Sequence, residues 1–212
     1  MIGFIKKSMA VAGLTFAMCA SAAATPVFSV PSPTTYWNNS WSFGEIFTVG
    51  DKDISVTALG AFDANSDGFV STGGIPVGIF RESDGALLAS AFVQSGDTLI
   101  DNFRYTDITP LTLLAGTSYR VVAVNLDDPY NSSRDFDIDP AITRSGYGYC
   151  LTSVLTSCDV YTGADYLWMA NFLFEFADTS SGPATVSAPG VLAPFGFGLA
   201  GLGMAFRRRK QG

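Results

Sequence analysis

Trp168-Met169-Ala170-Asn171-Phe172-Leu173-Phe174-Glu175-Phe176 is the stretch on which the fold turns. Trp168, Ala170, Phe172, Phe174 and Phe176 alternate with Met169, Asn171, Leu173 and Glu175. Successive side chains of an extended chain point to opposite faces, so this period of two predicts a strand. Both of its faces are partly apolar, which predicts a central strand covered on each side. The same period recurs upstream: Ile54, Val56 and Ala58 alternate with Ser55 and Thr57, Val77 and Ile79 follow Pro76, and Phe103 and Tyr105 alternate with Arg104 and Thr106. Between these runs lie turn-forming clusters at Ser83-Asp84-Gly85, Gln94-Ser95-Gly96-Asp97, Ala115-Gly116-Thr117 and Asp127–Ser133. Turn signals about every 8–12 residues, with no long amphipathic helical stretch, predict an all-β fold: a single β-sandwich or jelly-roll-like domain of roughly nine or ten strands. No internal repeat marks a propeller or solenoid.

Both ends of the chain read differently from its middle. Residues 1–24 begin with Lys6 and Lys7, pass through an apolar run from Met9 to Ala20, and end in Ala22-Ala23-Ala24. This is the pattern of a signal peptide cleaved after Ala24. Cys19 leaves with it, since Phe16-Ala17-Met18 lacks the Leu and small residues that precede a lipidated cysteine. Residues 25–34, punctuated by proline and serine, are expected to be a leader linker, residues 35–178 the β-sandwich and residues 179–186 a second linker. The last segment, 187–210, holds an apolar run from Val191 to Phe206 followed by Arg207, Arg208, Arg209 and Lys210. Sixteen helical residues span about 24 Å, short of the roughly 30 Å hydrocarbon core, so residues 191–206 read as a marginal transmembrane helix. The basic cluster then stays on the cytoplasmic side and the domain lies across the membrane. A buried core helix is a poor alternative, because it would strand four adjacent cations and contain Pro194 and several glycines.

Charge is distributed unevenly. All 19 acidic residues lie between Glu45 and Asp178, against six basic ones, a net charge of −13 for that region. Such a surface repels nucleic acid and anionic lipid, and suits solubility or cation binding. A mature region of roughly 150 residues can bury its own core. Its two cysteines, Cys150 and Cys158, are expected to form a disulfide in an oxidising compartment, pinning one hairpin or loop. The mature region has no histidine and offers only these two thiols, so a zinc-type site is not expected.

The order of Ser187-Ala188-Pro189, a short Gly-rich apolar run and an Arg cluster resembles the PEP-CTERM sorting signal of Gram-negative bacteria, with Ser187, Ala188 and Pro189 standing where the family usually has Pro-Glu-Pro. The resemblance implies an exosortase-like membrane enzyme as processing partner. It also implies an inner-membrane intermediate, then release to the periplasm, cell surface or extracellular, exopolysaccharide-associated matrix. A second resemblance rests on Phe43-Gly44-Glu45-Ile46-Phe47-Thr48-Val49, Val56–Asp63, Pro76-Val77-Gly78-Ile79-Phe80, Gly85–Ser90, Phe103-Arg104-Tyr105 and Leu113–Tyr119. These look like an uncharacterised exported β-sandwich domain of unknown function, often found upstream of such signals.

Three candidate sites stand out within the domain. Asp63-Ala64-Asn65-Ser66-Asp67-Gly68 has the D-x-N-x-D-G opening of a calcium loop, with Asp63, Asn65 and Asp67 as oxygen ligands. Gly74 occupies the position of the bidentate glutamate, so an acidic hairpin turn is the competing reading. Asp135, Asp137 and Asp139 share one face of an extended chain, as a cation site or a solvated edge strand. The aromatic residues Tyr36, Trp37, Trp41, Tyr130, Tyr147, Tyr149, Tyr161 and Tyr166 could form a sugar-stacking platform, with Trp37, Tyr147 and Tyr149 as its candidate contacts, or could be core and cross-strand pairs.

Catalysis finds little support. Without histidine no Ser-His-Asp or Cys-His arrangement exists, and no P-loop or dinucleotide fingerprint occurs. Glu45, Glu82 and Glu175 are the only glutamates, and nothing pairs two of them for glycoside hydrolysis. The expectation is a non-enzymatic exported surface or matrix protein, without nucleic-acid partners, with calcium the one cofactor left open. The alternatives are a carbohydrate- or calcium-dependent binding module, and a domain anchored permanently by its C-terminal helix.

Overall fold

Each of the period-two runs becomes a strand in the computed structural model, which describes residues 24–158, 160–161 and 166–177. The signal peptide up to its last residue, the linker 179–186, and the sorting segment 187–210 with its helix 191–206, Ser187, Ala188, Pro189, Arg207, Arg208 and Arg209 lie outside the described residues. No helix occurs among those described, so none is long and apolar enough to cross a membrane.

The strands are β1 (Thr25–Pro26), β2 (Phe28–Ser29), β3 (Thr35–Tyr36), β4 (Trp41–Val49), β5 (Ile54–Phe62), β6 (Ile75–Arg81), β7 (Leu87–Val93), β8 (Thr98–Ile100), β9 (Phe103–Leu113), β10 (Ser118–Val124), β11 (Tyr130–Asn131), β12 (Asp137–Ile138), β13 (Ile142–Leu151), β14 (Val160–Tyr161) and β15 (Ala170–Phe176). They exceed the expected number because several are two-residue pairings too short to leave a periodic signal. The fold is all-β with several sheets. A five-stranded sheet runs β1-β15-β5-β9-β8, a six-stranded sheet runs β14-β13-β4-β10-β6-β7, and two small ribbons pair β11 with β3 and β12 with β2.

One apolar cluster serves both large sheets. Phe43, Phe47, Val49, Ile75, Val77, Ile79, Tyr119, Val121 and Ala123 come from the six-stranded sheet, and Ile54, Val56, Leu59, Ala61, Ala170, Phe172 and Phe174 from the other. The Phe47 and Phe172 rings lie 5.2 Å apart across the two. The strand formed by Ala170–Phe176, β15, is interior, flanked by β1 and β5. On its second face Asn171 is fully buried and Leu173 and Glu175 are half-buried, while Phe176, ending the first face, is exposed. Strand β9 tolerates Pro110 because its pairing with β5 is interrupted there, resuming at Leu111 opposite Val56 after Asp107 opposite Ala58. A proline lacks the N–H that a regular ladder would require.

Residues 25–34, expected to be a leader linker, are partly built into the fold. Thr25 and Pro26 pair with Phe174 and Leu173, Phe28 and Ser29 pair with Ile138 and Asp137, and Val27, Phe28 and Val30 are buried. Proline and serine in this segment mark its bends and not a free tether; the apolar residues between them carry the burial.

Candidate functional site

Aromatic side chains concentrate where β4, β13 and the segment before β15 converge. Residues paired across a ladder share a face, and Tyr147, Tyr149 and Leu151 oppose Glu45, Phe43 and Trp41. Tyr147 and Tyr149 do lie on one face, stacked with centroids 6.1 Å apart. Trp168 packs against Phe43 at 5.1 Å, Tyr166 at 4.9 Å, and both of those tyrosines. Tyr149 meets Trp41 edge-on at 5.8 Å, and Tyr130 joins the group through Phe43 at 4.7 Å. Tyr147 is buried and Tyr149 half-buried, so their rings are mainly packing elements. Trp37 is exposed, on the segment after β3.

Beside this cluster lies a buried ion pair. A register shift between Arg144 and Gly146 turns Arg144 onto the face of Glu45, and its Nε donates to Glu45 Oε2 at 2.7 Å. Trp168 N donates to Glu45 Oε1, and Arg144 also donates to the Tyr166 carbonyl. The pair therefore ties the approach to β15 onto β4 and β13. Glu45 is almost completely buried, and desolvation pushes its carboxyl up to about 7 despite the lowering by Arg144.

This shift carries a sign for stability. The folded state holds the Glu45 proton more tightly than the unfolded chain, whose pKa is near 4.5, so its contribution is complete below that value and is lost as pH rises through about 7. Glu45→Gln keeps the neutral form at every pH. The melting temperature of the variant relative to the wild type is expected to rise between pH 5 and pH 8. A difference constant across that range would refute the shift.

The calcium-loop candidate folds as a turn closed by an internal cation. Asp63 is buried, and its Oδ2 accepts from Arg104 Nε at 2.6 Å and from Gly68 N at 3.0 Å. Arg104 also donates to the carbonyls of Ser66 and Asp97. A carboxylate and two carbonyls, the oxygen set a hard cation would seek, thus surround a guanidinium. Asn65 and Asp67 are exposed, and Asp63 Oδ1 has no hydrogen-bond partner. Among the described residues no group of three or more His, Cys, Asp or Glu side chains is placed to hold a metal. Asp135 and Asp137 are exposed, with Asp137 in the two-residue edge strand β12, and Asp139 accepts from Ala141 N.

The opposite face of the six-stranded sheet carries a stapled loop. Cys150 and Cys158 are disulfide-bonded, with Cα atoms 5.6 Å apart. The loop between them lies over the sheet: Ser42 Oγ donates to the Thr156 carbonyl, and Arg120 donates to the Cys158 carbonyl and to both Glu82 oxygens. Gly78 leaves room for it, since a Cβ there would meet Leu87 at 2.9 Å and Leu155 at 3.0 Å. Arg104, Arg120 and Arg144 were not singled out by sequence reasoning. The one available signal is the scarcity of cations in an acidic domain, which leaves each arginine surrounded by candidate acidic partners.

Comparison with protein-family models, with curated proteins and with solved structures finds no match to this chain.

Proposed function

We propose that this chain is a non-enzymatic exported protein of a Gram-negative bacterium, delivered to the cell surface or extracellular matrix through a PEP-CTERM-like C-terminal signal. Its domain is read as a single β-sandwich of jelly-roll type, whose two large sheets enclose one core. The observation that carries the reading is the bonded Cys150–Cys158 pair in a strongly acidic all-β domain, and the sequence patterns of residues 1–24 and 187–210 support it. Disulfides of this kind persist in oxidising compartments, outside the cytosol. The buried carboxylates Asp63 and Glu45 are each committed to an arginine, which supports a structural and not a catalytic use of the acids.

In this reading residues 191–206 hold the domain at the inner membrane until an exosortase-like enzyme processes the tail near Ser187-Ala188-Pro189. Intact-mass measurement on protein recovered from the envelope and the medium is expected to show a species that begins at Thr25 and lacks Arg207–Arg209. Recovery of every molecule with that cluster still attached would instead mean permanent anchoring, and would overturn the processing step.

A further inference from the structure

Two uncharged segments meet at one end of the six-stranded sheet. Tyr36–Ser42 and Cys150–Cys158 contain no Asp, Glu, Lys or Arg, although they belong to a region with a net charge of −13. Ser40 Oγ donates to the Thr152 carbonyl at 3.2 Å, Ser42 Oγ to the Thr156 carbonyl at 2.7 Å, and Trp41 is paired in register with Leu151. The disulfide closes the second segment. The first is fixed from below: Asn38 Oδ1 accepts from Trp41 Nε1 at 2.7 Å and Tyr130 OH at 3.1 Å. Asn125 accepts from Trp41 N at 2.7 Å and donates to the Asn39 carbonyl at 3.1 Å.

On this support four apolar side chains face solvent, with relative exposures of 55% for Tyr36, 54% for Trp37, 64% for Leu151 and 65% for Val154. Tyr36 is braced edge-on by Tyr130 at 5.9 Å. A rigid ledge with exposed rings, amides and hydroxyls, and no charge, has the chemistry of a neutral sugar polymer's partner. Pyranose rings present apolar C–H faces that stack on aromatic rings, and a rim of hydroxyls that hydrogen-bonds to amides and hydroxyls. Anionic polymers and anionic membranes are repelled by the surrounding domain. Because the support is already ordered, little ordering entropy would be lost on binding.

We propose that this ledge binds a neutral polysaccharide, with sugar rings stacked on Trp37 and Tyr36 and hydroxyls held by Asn38, Asn39, Thr152 and Ser153. Of the three residues expected from sequence, Trp37 is exposed, Tyr149 half-buried and Tyr147 buried in the aromatic packing. The inference is independent of tail processing.

Affinity electrophoresis of the purified full chain tests it, in native gels containing a soluble neutral α-glucan, a soluble neutral β-glucan or anionic alginate. Retardation is expected in at least one neutral gel and not in alginate. Trp37→Ala should weaken it by about tenfold or more, as for a central aromatic contact. Trp37→Phe should restore most of it, and Phe92→Ser, which removes an exposed ring on β7, should leave it unchanged. Unretarded migration in both neutral gels overturns the proposal. So does equal retardation of Trp37→Ala and wild type at an unchanged melting temperature, or retardation in alginate alone. Capture of a protein partner through Trp37 without retardation in either neutral gel would assign the ledge to protein recognition instead.

Discussion

Phe172→Ala is expected to lower the free energy of unfolding by about 3–5 kcal/mol, the range for removing a large aromatic side chain from a close-packed core. Phe172 is fully buried on β15, in register with Leu59 of β5 and 5.2 Å from the Phe47 ring of the six-stranded sheet. Phe174 touches it along the strand. The cavity would open where the two large sheets meet, bounded by backbone ladders on both sides, so little collapse can fill it. Urea denaturation should show the midpoint falling with the slope unchanged, and Phe172→Leu should recover most of the loss. A change below about 1 kcal/mol in Phe172→Ala would mean that the sheets do not meet at this residue.

Asn171→Leu should be of similar size, on the order of 3–5 kcal/mol, for a different reason. The Asn171 side chain lies on the other face of the same strand, fully buried, and acts as a piece of backbone. Its Oδ1 accepts from Phe28 N at 3.2 Å and Phe172 N at 2.9 Å, and its Nδ2 donates to the Phe28 carbonyl at 2.8 Å. Leucine matches the volume but leaves the Phe28 amide and carbonyl buried without partners, and a buried orphan is more costly than a lost bond. Hydrogen exchange should locate the damage: amides of residues 27–30 should lose protection well before those of β4 and β10. Uniform loss across the domain would show that the N-terminal segment is not held by Asn171.

These two neighbours also mark how far the amino-acid pattern can be read. Phe172 announces itself, because alternation along Trp168–Phe176 places every second side chain on one face and the aromatics choose the inner one. Asn171 announces only an oddity, a polar residue on a partly apolar face, and its partner is 143 positions away in the segment around Phe28. Local periodicity contains no information about such a distance. The same holds for Arg104 with Asp63 and Arg144 with Glu45: each half is visible as a charge, while the pairing depends on register and on a bulge between Arg144 and Gly146. The composition of Asp63–Gly68 fits a calcium loop and an acidic turn equally, and nothing local to it announces that Arg104 of β9 donates to Asp63 and to the Ser66 carbonyl. Trp37 is legible as an aromatic residue, but its exposure is not, since the same residue type at Trp41 and Trp168 is packed into the aromatic cluster.

The pairing of Thr25 with Phe174 has a consequence in time. Chains emerge from the ribosome N-terminus first at roughly 5–20 residues per second, so about 7–30 s separate the appearance of the two partners. Throughout that interval Val27 and Phe28 lack their partners on β15, Phe172 and Asn171. The earliest apolar segment of the domain is therefore among the last to be sealed, and a chaperone that shields nascent chains would find its longest-lived target there.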